Sequence, residues 1–167
     1  TAGAIDHSGD LTLTDSTISA NNAPNGNTNG GGLGIGGVGQ IVNSTIPNNA
    51  TVGATSASGV FVSGTTPVSM RNSIVAGNTS NATFPDVLGS GIASRGFNLI
   101  GNRGAVSFAA TGDQSGTGAA LLNPLLGVLQ NNGGTTVTHA MLAGSPALDK
   151  GDRSGTTVDQ RGAARPS

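Results

Sequence analysis

The sequence predicts an all-β chain, a right-handed parallel β-helix (solenoid) of about four or five coils with a C-terminal cap. Three observations carry that expectation. One short pattern recurs at a period of about 28 residues, the mark of a repeat architecture. Within each period apolar residues alternate with polar ones, as on a strand with one buried face. Glycine and asparagine, 29 and 16 of 167 residues, interrupt the strands every few positions, and both tolerate the left-handed backbone that sharp corners demand. Right-handedness follows the rule for parallel crossovers.

The first period holds Gly3-Ala4-Ile5, Leu11-Thr12-Leu13-Thr14, Asp15-Ser16-Thr17-Ile18 and the polar turn Asn21-Asn22-Ala23. Gly31-Gly32-Leu33, Gly39-Gln40-Ile41-Val42, Asn43-Ser44-Thr45-Ile46 and Asn48-Asn49-Ala50 repeat it. The third period supplies Ser58-Gly59-Val60, Val68-Ser69-Met70-Arg71, Asn72-Ser73-Ile74-Val75 and Asn78-Thr79-Ser80, and a weaker fourth copy is Gly96-Phe97-Asn98-Leu99-Ile100-Gly101. Stacked periods bring equivalent residues over one another, so Asp15, Asn43, Asn72 and Asn98 form one candidate amide ladder. Asn21, Asn48 or Asn49, and Asn78 form a second, for which solvent-facing turns explain the residues equally well. Ile18, Ile46, Val75 and Ile100 make a buried aliphatic column, and an aspartate at Ile46 or Ile74 is expected to abolish folding. The glycine run from Gly30 to Gly37 lacks the lysine of a phosphate loop and no helix follows it, so it reads as a corner and a strand. The sequons at Asn43, Asn49, Asn78 and Asn81 read as ordinary turn chemistry.

Coils are expected over 1–115 and a capping segment of the same domain over 116–167. Leu121, Leu122, Leu125, Leu126, Val128 and Leu129 are the densest apolar patch, suited to closing the open end of the core. Charge gathers in this tail, where Asp149 is expected to pair with Arg161 or Arg153, and Asp159 to cap a turn. His139 is expected to be a buried imidazole bonded to backbone.

The run Asn123-Pro124-Leu125-Leu126-Gly127-Val128-Leu129-Gln130-Asn131-Asn132-Gly133-Gly134, with Thr138-His139-Ala140-Met141-Leu142, Gly144-Ser145-Pro146-Ala147-Leu148-Asp149-Lys150-Gly151-Asp152 and Asp159-Gln160-Arg161-Gly162, closely resembles the end of the choice-of-anchor Q family. Those are bacterial secreted or surface proteins with pectin-lyase-like right-handed β-helices. The copies Asn43-Ser44-Thr45-Ile46 and Asn72-Ser73-Ile74-Val75 look like the same family's coils, so the resemblance spans nearly the whole chain. It implies the fold and a secreted or cell-surface setting, and supplies no catalytic motif.

A charged fraction of 9% and a net charge of −1 exclude the electrostatic footprint of a nucleic-acid binder. No apolar run reaches the roughly 20 residues of a membrane-spanning helix. Two histidines are too few for a metal site without several supporting carboxylates; His7 with Asp6 and Asp10 could bind a cation, but a solvated corner explains the same residues, and no cofactor is expected. Asp6, Asp10, Asp15, Asp86 and Asp113, with Arg71 and Arg95 as basic partners, are the groups from which polysaccharide chemistry would have to be built. They show no convergent spacing, and tryptophan and tyrosine for sugar stacking are absent. Asp86→Asn and Asp113→Asn are accordingly expected to be neutral. The expected function is a non-catalytic extracellular structural or adhesive module, with a carbohydrate-active lyase or hydrolase as the alternative. An ice-binding solenoid is a weaker one, because Gln40 and Val42 interrupt the threonine array begun by Thr12 and Thr14. Thr1-Ala2-Gly3-Ala4-Ile5 enters a coil with nothing to blunt its edge, so the expected partners are upstream coils or an end-to-end second copy forming a fibre. A glycan or cell-surface ligand is the other expected partner.

Overall fold

The computed structural model describes residues 3–24, 30–52, 57–80, 85–153 and 155–165. Among them there is no helix, and all sheets but one are parallel. Each period of the sequence contributes three or four strands, at most one to each parallel sheet, and such a set is a layer.

The first layer is β1 (Ile5–His7), β2 (Leu11–Thr14) and β3 (Asn22–Ala23). The second is β4 (Leu33–Ile35), β5 (Gly39–Val42), β6 (Thr45–Pro47) and β7 (Ala50–Thr51). The third is β8 (Val60–Val62), β9 (Val68–Arg71), β10 (Ile74–Ala76) and β11 (Thr79–Ser80). The fourth is β12 (Val87–Leu88), β13 (Ile92–Ser94) and β14 (Leu99–Ile100), and β15 (Gln114–Ser115) lies beyond it. Sheet orders are β1-β4-β8-β12, β2-β5-β9-β13, β3-β7-β11 and β6-β10-β14-β15, and no strand of one sheet pairs with a strand of another.

Registers follow the period. Leu33 lies opposite Ile5 and Val60, and Val75 opposite Ile46 and Ile100. An isolated bridge from Thr17 to Thr45 extends the last sheet into the first layer. Alternation decides which side chains turn inward: in β9 Val68 and Met70 are buried while Ser69 and Arg71 are partly exposed. The inward set, with Leu33, Ile35, Ile41, Ile46, Val60, Val75 and Ile100 among its members, makes one aliphatic core. Layers approach so closely at some corners that only glycine fits; a Cβ on Gly3 would lie 1.9 Å from Gly31 O, and one on Gly31 would lie 2.3 Å from Ser58 O.

Two expectations fail here. Ile74 faces outward beside Thr45 and Leu99 while its neighbour Val75 is buried, so Ile74 is not a core residue. The leucine patch does not close the core either: Leu121 and Val128 are 69% and 72% exposed, and Leu125 and Leu129 are also exposed. Val106 and Phe108, from the loop between β14 and β15, join the core instead. Beyond β15, β16 (Leu126–Gln130) and β17 (Thr138–Met141) form an antiparallel hairpin. The chain from this hairpin to residue 165 is an arm along the side of the stack.

Candidate functional site

The polar residues form three columns along the stack. In the first, Asp15, Asn43, Asn72 and Phe97 are corner residues with φ of 45°, 51°, 54° and 59°. Asn and Asp tolerate this left-handed backbone better than most side chains. The expected fourth member, Asn98, is displaced by one position, because the pairing of Ile74 with Leu99 sets Asn72 over Phe97 and Ser73 over Asn98. Arg71 lies 5.6 Å over the Phe97 ring.

Asn98 belongs to a second column, a ladder that the sequence pattern did not suggest. Ser16 N–H donates to Ser44 Oγ at 3.3 Å, Ser44 N–H to Ser73 Oγ at 3.1 Å, Ser73 N–H to Asn98 Oδ1 at 3.1 Å, and Asn98 N–H to Asp113 Oδ1 at 3.0 Å. The available signal is the serine after each of the first three corner residues.

The third column runs Asn21, Asn49, Asn78, Asp86. Asn21 gives backbone and side-chain N–H to Asn49 Oδ1, at 3.1 and 2.9 Å, and Asn49 gives the same pair to Asn78 Oδ1, at 2.9 and 3.0 Å. Asn78 then gives both to Asp86 Oδ1, at 2.9 and 2.8 Å, while Asn102 N–H donates to Asp86 Oδ2 at 2.7 Å. Asn49 is fully buried, and Asn48 is the neighbouring left-handed corner. The sequons at Asn49 and Asn78 are thus consumed by the ladder; Asn81 lies outside the described residues.

Asp86 and Asp113 therefore terminate two ladders. Burial pushes the Asp86 carboxyl above its ordinary value more than the bonds from Asn78 and Asn102 pull it down. Asp113 accepts from Ser94 Oγ–H and Ala110 N–H as well, at 2.6 and 3.0 Å. Both oxygens of each carboxyl accept hydrogen bonds, so an amide at either position would set its N–H₂ against a donor, which argues against the neutrality expected for the asparagine variants.

The arm docks on the first column. Asn72 pairs with the Asp152 backbone as a peptide would, Oδ1 accepting from Asp152 N–H and Nδ2 donating to Asp152 O, both at 2.9 Å. Arg71 forms an ion pair with the Asp152 carboxylate. Asn43 Nδ2 reaches Thr156 Oγ1 at 3.4 Å, Thr17 Oγ1–H donates to Gln160 Oε1 at 2.8 Å, and Arg165 pairs with Asp15 at 3.4 Å. The arm thus runs from the third layer back to the first. Within it, Arg161 pairs with Asp159 at 2.6 Å, and the expected pairing of Asp149 with Arg161 or Arg153 is not among the ion pairs of the described residues. A two-residue separation lets Arg161 reach Asp159 across the turn that Asp159 caps by accepting from Arg161 and Ala163 N–H. Some burial opposes its ionisation, but the bonds to Arg161 and Ala163 hold the Asp159 carboxyl below its ordinary value.

His139 ties the hairpin to the first layer. Its Nδ1 lies 2.7 Å from Gly127 O, an acceptor, so Nδ1 carries the proton and Nε2 accepts from Ser19 Oγ–H at 2.8 Å. A backbone carbonyl, not a carboxylate, orients this ring. Between the arm and the outer face of β6, β10 and β14 is a cleft of about 810 Å³, lined by Thr45, Ile74, Leu99, His139, Asp152 and Arg161. Among the described residues no three His or Asp side chains gather as metal ligands. His7 Nε2 lies 3.1 Å from Asp10 O, and Asp6 and Asp10 are exposed. Thr12 stands beside Gln40, and Thr14 beside Val42.

No family model, curated protein or solved structure matches the chain.

Proposed function

We propose that the chain is a right-handed parallel β-helix that serves as a non-catalytic structural or adhesive module, secreted or on a bacterial cell surface. The use of acidic side chains carries this reading. Asp86 and Asp113 end the ladders, and Asp15, Asp152 and Asp159 are paired with Arg165, Arg71 and Arg161. Glycoside hydrolysis needs two carboxylates facing one bond, and carboxylates bound into the scaffold are poor candidates for that work. The resemblance of the C-terminal run to choice-of-anchor Q proteins supports the extracellular setting, and the cleft under the arm is where a glycan would lie.

The carbohydrate-active alternative is favoured by one contact, that of Ser19 with His139. An activity screen on neutral and acidic polysaccharides, with calcium and with Ser19→Ala and His139→Ala alongside, separates the two. No turnover is expected. Release of reducing or unsaturated ends that either substitution removes would replace the structural reading with a catalytic one.

A further inference from the structure

We propose that the first layer is a docking edge for one more parallel coil of this repeat pattern, joined ahead of Gly3, and that the opposite end of the stack is closed to such addition. The proposal rests on the solenoid reading above and names the partner of its end.

The ladders have a direction. In each, a residue donates its N–H to a side-chain oxygen one layer further on, so every ladder oxygen past the first layer has a donor from the layer before. In the first layer the two corresponding oxygens lack theirs. Ser16 Oγ–H donates to Thr14 O at 2.7 Å, as Ser44 and Ser73 donate to Val42 O and Arg71 O, yet among the described residues nothing donates to Ser16 Oγ. Asn21 Nδ2 is used by Asn49 Oδ1 and by Ser19 O, and among the described residues Asn21 Oδ1 accepts nothing. Both oxygens are poised for N–H donors from a preceding layer.

The apolar side chains tell the same story. Ile5, Leu11 and Leu13 are only partly buried, whereas Leu33 and Ile41, the counterparts of Ile5 and Leu13 one layer on, are 0% exposed. Strands β1, β2 and β3 are edge strands, which pair readily with added chain.

The far end also has edge strands, β12 and β13, and a partly buried Ile92, but it differs in its ladders and in the loop residues that pack on it. Val87 and Ile100 are fully buried, with Val106 and Phe108 beside them in the core. Its ladders end on carboxylates, and the terminal N–H groups are spent internally, Asp86 N–H on Asn102 O and Asp113 N–H on Ala110 O. A second copy stacked head to tail would bring no ladder donors to Ser16 and Asn21. Two copies stacked head to head would set acceptor against acceptor. A coil that repeats residues 31–57 carries the right groups: N–H of its Ser44 counterpart over Ser16 Oγ, and N–H of its Asn49 counterpart over Asn21 Oδ1.

The test places a copy of residues 31–57 directly ahead of Gly3 in the full chain and follows backbone hydrogen exchange, with sedimentation of the unaltered chain in parallel. The two counterpart amides are expected to exchange at least about tenfold more slowly than in the free peptide, with Ile5, Leu11 and Leu13 newly protected. Ser16→Ala is expected to undo the slowing at the Ser44 counterpart while changing the unaltered chain little. An added coil that exchanges freely while layers one to four stay protected overturns the docking edge and leaves the solenoid reading intact. Freely exchanging layers in the unaltered chain overturn both. Head-to-tail oligomers or filaments of the unaltered chain overturn the closed end.

Discussion

Asn78 donates both its backbone and its side-chain N–H to one oxygen of Asp86, at 2.9 and 2.8 Å, and with these bonds a ladder that began at Asn21 ends on a buried carboxyl group. An amide in the same place would turn an N–H₂ toward the Asn102 N–H now accepted by Oδ2. Asp86→Asn is therefore expected to lower stability by about 1–3 kcal/mol, the penalty for a buried donor left unmatched. Urea unfolding measures it; an unchanged midpoint and slope would refute the ladder's end.

Acid should affect the two shifted carboxylates oppositely. The folded-state value of Asp86 is raised, so the native chain binds its proton first, and stability falls as pH rises from the unfolded value near 3.8 through the folded one. Asp159 is lowered, so its contribution is present above that unfolded value and is lost as pH falls through the folded value. The difference between wild type and Asp86→Ala should shrink as pH rises above about 4, whereas Asp159→Ala should lose its effect as pH falls below it. Unfolding midpoints from pH 3 to 7 check both signs.

Val75→Asp is expected to abolish folding or cost more than about 4 kcal/mol, since the side chain is fully buried among aliphatics. Ile74→Asp, one position away and facing the cleft, should leave the β-sheet circular dichroism in place. Equal damage at the two positions would put the strand's inward face in error.

Asn72→Ala removes both bonds that bind Asp152 and the one to Asn43 at 2.7 Å. It should loosen the arm by about 1–3 kcal/mol. Limited proteolysis is expected to cut near residues 145–165 faster while residues 31–80 stay protected. The Arg71–Asp152 pair, with both side chains about one-third exposed, should add at most about 1 kcal/mol when Arg71 is replaced.

Local features of this fold are legible in its sequence and distant ones are not. The inward turn of Ile41 and Met70 follows from alternation, a pattern written into adjacent residues. The slip at Asn98 arises because the fourth period is shorter and places Phe97, a side chain rarely found at positive φ, at the corner that Asn72 occupies one layer earlier. Matching asparagine to asparagine therefore misplaces the layer. The leucines of 121–129 signal a preference for burial without saying against what, and Leu121, Leu125 and Leu129 lie exposed. Asp152 on Asn72 and Arg165 on Asp15 join residues 80 and 150 positions apart, a separation that leaves no trace in local pattern.

Stacks of repeats usually behave as one-dimensional chains, each layer held by its neighbours and free to fray from the end. The arm changes that topology. By touching Asn72, Asn43, Thr17 and Asp15 in turn it turns three successive layers into one closed circuit, because opening any of them breaks contacts that the others share. Its docking strip exists only once those layers are in place, so the arm settles late, and the loop closures of 80 to 150 residues that it makes slow folding without requiring a larger core. The expected consequence is cooperativity among the first three layers, which should fray from the end less readily while the arm is docked.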